Sequence, residues 1–213
     1  MKLNIVCAIV FLSGLLMVQG CGNSENEASV VPPVVKASSP KKVNVAALNR
    51  KLAANMTFSP AEELVALIKK GATPAAKNRY GLPVIFMAAE RGELSVVKAL
   101  IDAGADVNQT IGTSYNDDGV GYTGTVDGTP LCYAAKKGRV EVMVLLKQSG
   151  VDINGTGPEG TSPLMSAAES LQLESIEWLL ANGSSTGKSK ARDLAQRFIN
   201  PDDKTKRIIQ LLR

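Results

Sequence analysis

The stretch TPLCYAAKKGRVEVMVLLKQSG, residues Thr129–Gly150, carries the start and stop signals of two short helices in succession. Thr129 can accept a hydrogen bond from a free amide of the first turn, and Pro130 fits the first helical position because its missing N–H needs no partner there. Gly138 and Gly150 readily take the left-handed conformation that commonly ends a helix. The stretch therefore predicts a helix–turn–helix unit.

Apolar residues of this unit recur at helical spacing in both halves, so each predicted helix has one apolar face. The two faces consist of Leu131, Ala134, Ala135, Val142, Leu145 and Leu146. Alanines on the first helix allow a second helix to approach closely. The pattern therefore predicts that the two helices share one core and bury it against neighbouring units.

The same pattern returns along the chain at a nearly fixed period. Gly71, Gly104, Gly150 and Gly183 each end an apolar segment, and they are separated by 33, 46 and 33 residues. The alanine pairs of the last three units show the same separations of 46 and 33 residues. A fixed period indicates a stack of repeated units. The excess of 13 residues in the middle interval indicates an insertion, which we place at residues 109–126.

These features resemble the ankyrin repeat. The resemblance is carried by Thr129-Pro130-Leu131, the alanine pairs, Gly138 and the turn Gly104-Ala105-Asp106-Val107-Asn108. It implies an all-α solenoid of stacked helix–turn–helix units joined by short hairpin turns, extending over residues 44–213. Within it we expect about three full repeats between two degenerate capping units.

The two capping units are predicted at the ends of the array, where repeats are usually atypical. The leading unit covers about residues 45–78, with Ser59 and Glu62 expected to form a capping box at the start of its second helix. The trailing unit covers residues 191–213 and has a Lys/Arg-rich outer face. Both ends of the stack are thus expected to be closed.

Several positions depart from the family's pattern. The family's histidine after Thr-Pro-Leu is absent, Cys132 stands at that position in the second unit, and the chain contains no histidine. Leu171 stands where the third unit should have its interhelix glycine. A left-handed leucine costs roughly 1–2 kcal/mol, so we expect that turn to be remodelled. The connection after Gly183 is short, so we expect no full hairpin there.

The insertion, residues 109–126, contains four glycines, two tyrosines and adjacent aspartates but neither lysine nor arginine. It would lengthen one hairpin in the middle of the concave face, which is where partners usually bind ankyrin repeats. Rigid tyrosines suit protein recognition, although a tolerated loop extension is the alternative. The predicted partner-binding residues are Arg79, Tyr80, Leu82, Glu90, Arg91, Tyr115, Asp117, Asp118, Tyr122, Thr125, Val126, Lys136, Lys137, Glu159, Glu169 and Ser170.

Other kinds of site fit the sequence less well. Residues 114–125 lack the final glutamate of an EF-hand loop, although an irregular ion site at Asp117 and Asp118 stays open. Residues 183–189 have only three residues between their glycines, one fewer than a phosphate-binding loop needs. Cys132 is expected to be a buried thiol, with a redox role as the alternative. We therefore predict neither a resident metal nor a cofactor.

The sequence also lacks recognisable catalytic sets. No histidine is present to act as a general base, and no Gly-x-Ser-x-Gly elbow or Cys/His pair occurs. The net charge of +4 at pH 7 is too small to indicate nucleic-acid binding. These observations favour a non-enzymatic protein that does not bind nucleic acid.

The first residues have the order of a bacterial lipoprotein leader. Met1-Lys2 precedes an apolar segment that ends in Val18-Gln19-Gly20-Cys21, which resembles a lipobox. We predict a signal peptide over residues 1–20, lipidation of Cys21 and a flexible Pro- and Ser-rich tether over residues 21–43. Gly22 after the cysteine favours the periplasmic face of the outer membrane.

Together these expectations describe an exported, lipid-anchored binding module. It is predicted to be a monomer that binds an unidentified envelope or periplasmic protein through the concave face and the insertion. The alternative is an envelope sensor that binds a small ligand or an ion at the insertion. A thermal shift with calcium and EDTA would discriminate between the two.

Overall fold

The computed structural model describes residues 43–112, 127–198 and 201–213. The predicted leader, the predicted lipidation site at Cys21 and the predicted tether up to residue 42 lie outside these ranges, as do residues 113–126 of the insertion. Among the helices that are described, none is long and apolar enough to cross a membrane.

The described residues form ten short helices arranged as five successive pairs. The first helices of the pairs are α1 (Val45–Asn55), α3 (Val84–Arg91), α5 (Pro130–Lys136), α7 (Pro163–Glu169) and α9 (Lys188–Gln196). The second helices are α2 (Ala61–Lys69), α4 (Leu94–Asp102), α6 (Val140–Gln148), α8 (Leu173–Ala181) and α10 (Asp203–Leu211).

The pairs stack in chain order, as the period predicts. The first helices α3, α5, α7 and α9 contact one another in sequence, and the second helices from α2 to α10 form a parallel row. Helix α1 packs on α2 and makes little contact with α3. The all-α solenoid predicted from the sequence is therefore confirmed, with a looser junction at its first unit.

Small residues let the first helices lie close together. The alanine pairs of α3, α5 and α7 are completely buried, and larger side chains such as Leu100, Leu146 and Leu179 fill the layer behind them. Phe86 and Tyr133 join two neighbouring units through an edge-to-face contact, with ring centroids 5.1 Å apart. Apolar burial along the whole stack holds the fold together.

Hydroxyl side chains start two of the first helices, and one of them is the Thr129 cap that the sequence predicts. The Thr129 hydroxyl accepts a hydrogen bond from the amide of Cys132 at 3.4 Å, and the Ser162 hydroxyl accepts one from Met165 at 3.3 Å. The capping box predicted at Ser59 is wrong. Helix α2 starts one residue later than a serine cap requires, and Pro60 is its N-cap without any side-chain hydrogen bond.

The turn at Leu171 keeps the geometry of its glycine counterpart, so the expected remodelling does not occur. Leu171 has a φ of 52°, compared with 70° at Gly138. The amide of Gln172 donates a hydrogen bond to the carbonyl of Ala167 at 2.9 Å. The amide of the residue after Gly138 makes the equivalent hydrogen bond in its own unit. These hydrogen bonds and the packing of the leucine against the core hold a conformation that a leucine seldom adopts.

Short antiparallel bridges mark two of the hairpins between units. Lys77 pairs with Pro83, and Ile111 pairs with Gly128. Ile111 and Gly128 exchange two backbone hydrogen bonds of 3.0 Å and 2.8 Å. A bridge therefore joins Ile111, near the start of the insertion, to Gly128, just after its end, at the hairpin position that the period predicts.

Candidate protein-binding face

The first hairpin presents two exposed side chains on a fixed turn. The Asn78 carboxamide oxygen accepts hydrogen bonds from the amides of Tyr80 at 2.9 Å and Leu82 at 3.0 Å. The guanidinium of Arg79 lies over the ring of Tyr80, 4.7 Å from its centroid. Both residues are exposed, so both side chains are accessible at the surface.

Leu82 was predicted on the same face, and that prediction is wrong. Its side chain is only 7% exposed and belongs to the hydrophobic core. The reason is that the chain reverses at Gly81 and Leu82 pairs back with Asn78, which turns the leucine towards the stack. Leu82 holds the hairpin in place and offers no contact surface.

Arg91 was also predicted to contact a partner, but it is occupied within the protein. Its guanidinium donates to the carbonyl oxygens of Met56 and Ser59, the latter at 3.2 Å. It also forms an ion pair with Glu93 at 2.9 Å. Arg91 therefore ties the first full repeat to the loop between α1 and α2, and its predicted contact role is corrected to a structural one.

Glu90 and Lys137 form an ion pair of 3.3 Å between neighbouring first helices. Both side chains remain two-fifths or more exposed, and the adjacent Lys136 is half-buried. An exposed ion pair of this kind contributes little stability. The charges of Glu90 and Lys137 thus both stay accessible on the face where partner binding is predicted.

The third hairpin carries Glu159, whose side chain is exposed. Its turn is closed by hydrogen bonds from the amide of Gly157 to the carbonyl of Thr161, and from Gly160 to Gly157, both 3.0 Å long. Glu169 ends α7 with an exposed side chain, and half-buried Ser170 caps that helix. The described members of the predicted set thus lie on hairpins or at the ends of first helices.

Asp127 is a structural determinant that the sequence analysis missed. It is 2% exposed, and its two carboxylate oxygens accept hydrogen bonds from the amides of Glu159 at 3.0 Å and Thr161 at 2.8 Å. Gly157 lies so close to this carboxylate that a Cβ there would collide with it. Asp127 therefore fastens the base of the insertion to the next hairpin.

Phe58 is a second residue that sequence reasoning missed. It lies in the loop between α1 and α2 and is 91% exposed. The sequence gives little indication of its exposure, because a single aromatic residue between two helical segments belongs to no repeating pattern. The structure places it beside Arg79 and Tyr80 along one groove.

Comparisons with known proteins agree with this architecture. Residues 113–190 match the family model described as ankyrin repeats in three copies, and residues 80–111 match the single ankyrin repeat. The two matches together cover more than half of the chain. This chain belongs to the ankyrin repeat family.

Curated relatives share the repeats over a limited length. The chain is 30% identical over 118 residues to B-cell lymphoma 3 protein homolog of Mus musculus, covering 55% of this chain and 24% of that protein. It is 34% identical over 104 residues to alpha-latrocrustotoxin-Lt1a of Latrodectus tredecimguttatus, covering 48% of this chain and 6% of the toxin. Dauer abnormal formation protein 25 of Caenorhabditis elegans is 35% identical over 100 residues, covering 45% and 22%. The chain thus spans less than a quarter of the length of each.

Cys132 occupies the position of the histidine in the ankyrin pattern. Its side chain is 2% exposed, and burial raises the pKa of its thiol above the ordinary value of 9.0, although hydrogen bonds from Thr129 oppose that shift. The thiol donates to the carbonyl of Thr161 in the next unit at 3.6 Å. A redox-active thiol needs a lowered pKa and exposure, so this geometry favours the structural role.

Asparagines connect successive turns of this ankyrin repeat protein. The carboxamide of Asn108 accepts from the amide of Asp152 at 2.8 Å and donates to the carbonyl of Gly150 at 3.2 Å. Asn154 accepts from the amide of Ser185 at 2.9 Å in the same way. These side chains link each unit to the next, in a chain that lacks the histidine of the ankyrin pattern.

The other predicted site residues, Tyr115, Asp117, Asp118, Tyr122, Thr125 and Val126, lie outside the described residues. In the part of the chain that is described, no three His, Cys, Asp or Glu side chains cluster as metal ligands. Ankyrin repeats imply a protein–protein interaction module and are typically non-catalytic. The accessible residues of the hairpin row are therefore candidates for protein contact.

Proposed function

We propose that this ankyrin repeat protein is a non-enzymatic binding module held in the bacterial envelope. A lipid on Cys21 anchors it, and the tether carries the repeats away from the periplasmic face of the outer membrane. The partner is an envelope or periplasmic protein, and the module itself acts as a monomer. The leader and lipobox residues support the anchoring, and the family supports a protein partner.

The observation that carries the binding role is the row of charged side chains on fixed hairpins and helix ends. Lys136 and Glu159 belong to neighbouring units whose hairpins are joined through Asp127. A surface that is ordered before binding loses little conformational entropy when a partner docks. Opposite charges along the row would orient the partner, and the insertion would extend the same surface.

Capture from the native envelope tests this function. The full lipidated chain serves as bait, and the captured proteins are compared with those of Lys136→Glu combined with Glu159→Lys. We expect the charge-swapped bait to lose a discrete set of proteins. A matched control is Lys98→Glu combined with Glu141→Lys, which alters exposed positions on the second helices. Identical captured sets from all three baits would contradict the proposal.

Anchoring is tested separately with Cys21→Ser. We expect the unmodified chain to carry a lipid and to fractionate with membranes, and the variant to lose both properties. Membrane association of the variant would contradict the lipid anchor but leave the binding role standing. The ion-sensor alternative has no supporting contact among the described residues, and a melting temperature that responds to calcium and EDTA would revive it.

A further inference from the structure

A groove of about 550 Å³ lies at the first junction of the stack. It is formed where α1 stands away from α3, and α1, the loop that follows it and the first hairpin line its walls. Volumes of this size are typical of ligand pockets in proteins. The groove is thus large enough to receive side chains from another molecule.

The walls of the groove combine exposed aromatic rings with positive charge. Phe58 is 91% exposed and Tyr80 is 43% exposed. Arg50, Lys77 and Arg79 line the same groove, and no aspartate or glutamate does. None of these three cations forms an ion pair with the residues that the structure describes. The groove therefore presents positive charge without a carboxylate partner beside exposed aromatic surface, with Arg79 lying over the ring of Tyr80.

Both walls are held in place before anything binds. Asn78 fixes the hairpin that carries Tyr80 through two hydrogen bonds to backbone amides. Arg91 fixes the opposite loop by donating to the carbonyls on either side of Phe58. An exposed aromatic residue on a fixed loop contributes strongly to binding because little freedom is lost on contact. Such residues are frequent among the dominant contacts of protein interfaces.

We propose that this groove docks an acidic segment of the partner protein that carries one large apolar side chain. The carboxylates would pair with Arg50, Lys77 and Arg79, and the apolar side chain would lie against Phe58 and Tyr80. Guanidinium groups suit this role because they form paired hydrogen bonds with carboxylates. The inference rests on the proposed binding function and adds the location and chemistry of one contact.

Selection from a random library of short displayed peptides tests the docking site, with the full chain as target. We expect the selected peptides to be acidic and to contain a large apolar residue. Their affinity should fall roughly tenfold or more for Arg50→Glu combined with Lys77→Glu, and also for Phe58→Ala. A control with the same change in charge, Lys98→Glu combined with Lys204→Glu, should bind as the unmodified chain does. Melting curves of all variants establish that each is folded.

Three outcomes would overturn the inference. One is a selection that yields no binder or yields peptides without excess acidic residues. Another is unchanged binding by the folded groove variants. The third is a different occupant, shown by groove-dependent binding to anionic phosphatidylglycerol vesicles, by groove-dependent self-association in light scattering, or by binding of a synthetic peptide of residues 22–42.

Failure of this inference is distinguishable from failure of the proposed function. Envelope capture that persists in the groove variants but disappears with Lys136→Glu and Glu159→Lys would remove the groove and keep the binding module. Loss of capture in the groove variants alone would locate the main contact at the first junction instead.

Discussion

Asp127 holds the hairpin of the following unit through Thr161, whose backbone amide donates to the aspartate Oδ2 at 2.8 Å. The two residues are 34 positions apart in the chain, and the carboxylate is almost completely buried. A buried carboxylate that accepts backbone hydrogen bonds is a strong local determinant of structure. It joins the base of the insertion to the neighbouring repeat.

Asp127→Ala is therefore expected to lower the free energy of unfolding by about 2–3 kcal/mol, because it leaves the amides of Glu159 and Thr161 without their acceptor. Urea denaturation followed by circular dichroism measures the change. Asp102→Ala is the matched control, since that carboxylate is exposed at the end of α4. Equal losses for the two variants would argue against the hydrogen-bonding role.

Arg91 and Arg79 should separate stability from binding. Arg91→Ala removes donors to the carbonyls of Met56 and Ser59, so we expect it to cost about 1–2 kcal/mol of stability. Arg79→Ala removes an exposed side chain and should leave the unfolding midpoint nearly unchanged. Partner capture should instead be reduced by Arg79→Ala and retained by Arg91→Ala, when the Arg91 variant is measured at a temperature where it is folded. A stable Arg91→Ala variant would contradict this assignment.

Leu171 offers a direct test of backbone strain. Leu171→Gly and Leu171→Ala both remove the contacts of the side chain, but only glycine accepts the left-handed conformation without a penalty. We expect the glycine variant to be the more stable of the two by roughly 0.5–1 kcal/mol. Exposed Ala181 in α8 provides the control, because Ala181→Gly should destabilise the helix there. If Leu171→Ala were as stable as Leu171→Gly or more stable, the backbone at position 171 would not be strained.

Cys132 should resist alkylation in the native protein. Its thiol is buried and its pKa is raised, so both access and thiolate are lacking. Peptide mapping after iodoacetamide treatment should find Cys132 modified in denaturant but not under native conditions. Rapid alkylation of Cys132 under native conditions would contradict the burial of its thiol and would favour a redox role instead.

The same thiol predicts a pH dependence of stability. The folded state keeps the proton longer than the unfolded state, so the stabilising contribution is complete below the ordinary pKa of 9.0 and declines as the pH rises beyond it. Comparison of Cys132→Ala with the unmodified chain isolates this effect from other titrating groups. The difference in unfolding midpoint should change in favour of the variant as the pH is raised past 9.0. If the difference in unfolding midpoint did not change with pH, the thiol would make no pH-dependent contribution to stability.

Tyr115→Ala combined with Tyr122→Ala tests the insertion. If the insertion contacts the partner, this variant should capture less of it while its melting curve stays nearly intact, because both tyrosines lie outside the repeated helix pattern of the sequence. Unchanged capture would contradict the contact role of the insertion. This prediction rests on the sequence, since both residues lie outside the described part of the chain.

The sequence predicted the stack because the three full units repeat the same chemical pattern. Alanine pairs and left-handed glycines such as Gly138 act within one unit, so their effect can be read locally. Leu171 shows the limit of this reasoning, since packing and turn hydrogen bonds retained a strained residue that the local rule excluded. Local signals therefore predicted the helices better than they predicted the turn.

The candidate site was less predictable because its geometry depends on contacts between distant residues. Hairpin position alone indicated that Arg79 and Tyr80 are exposed but could not show that Leu82 turns inwards. The role of Arg91 depends on carbonyls 32 and 35 positions earlier in the chain. Phe58 became a candidate only when its exposure was known.

The bridge between Ile111 and Gly128 bears on how such a protein could acquire new partners. The two sides of the insertion are hydrogen-bonded to each other at its base, and Asp127 holds that base against the next hairpin. The segment between them can therefore be replaced by another with little change in the entropy of loop closure. Changes of length or composition there need not disturb the register of the helices on either side. If the insertion carries the binding specificity, that specificity can change without altering the residues that make the chain fold.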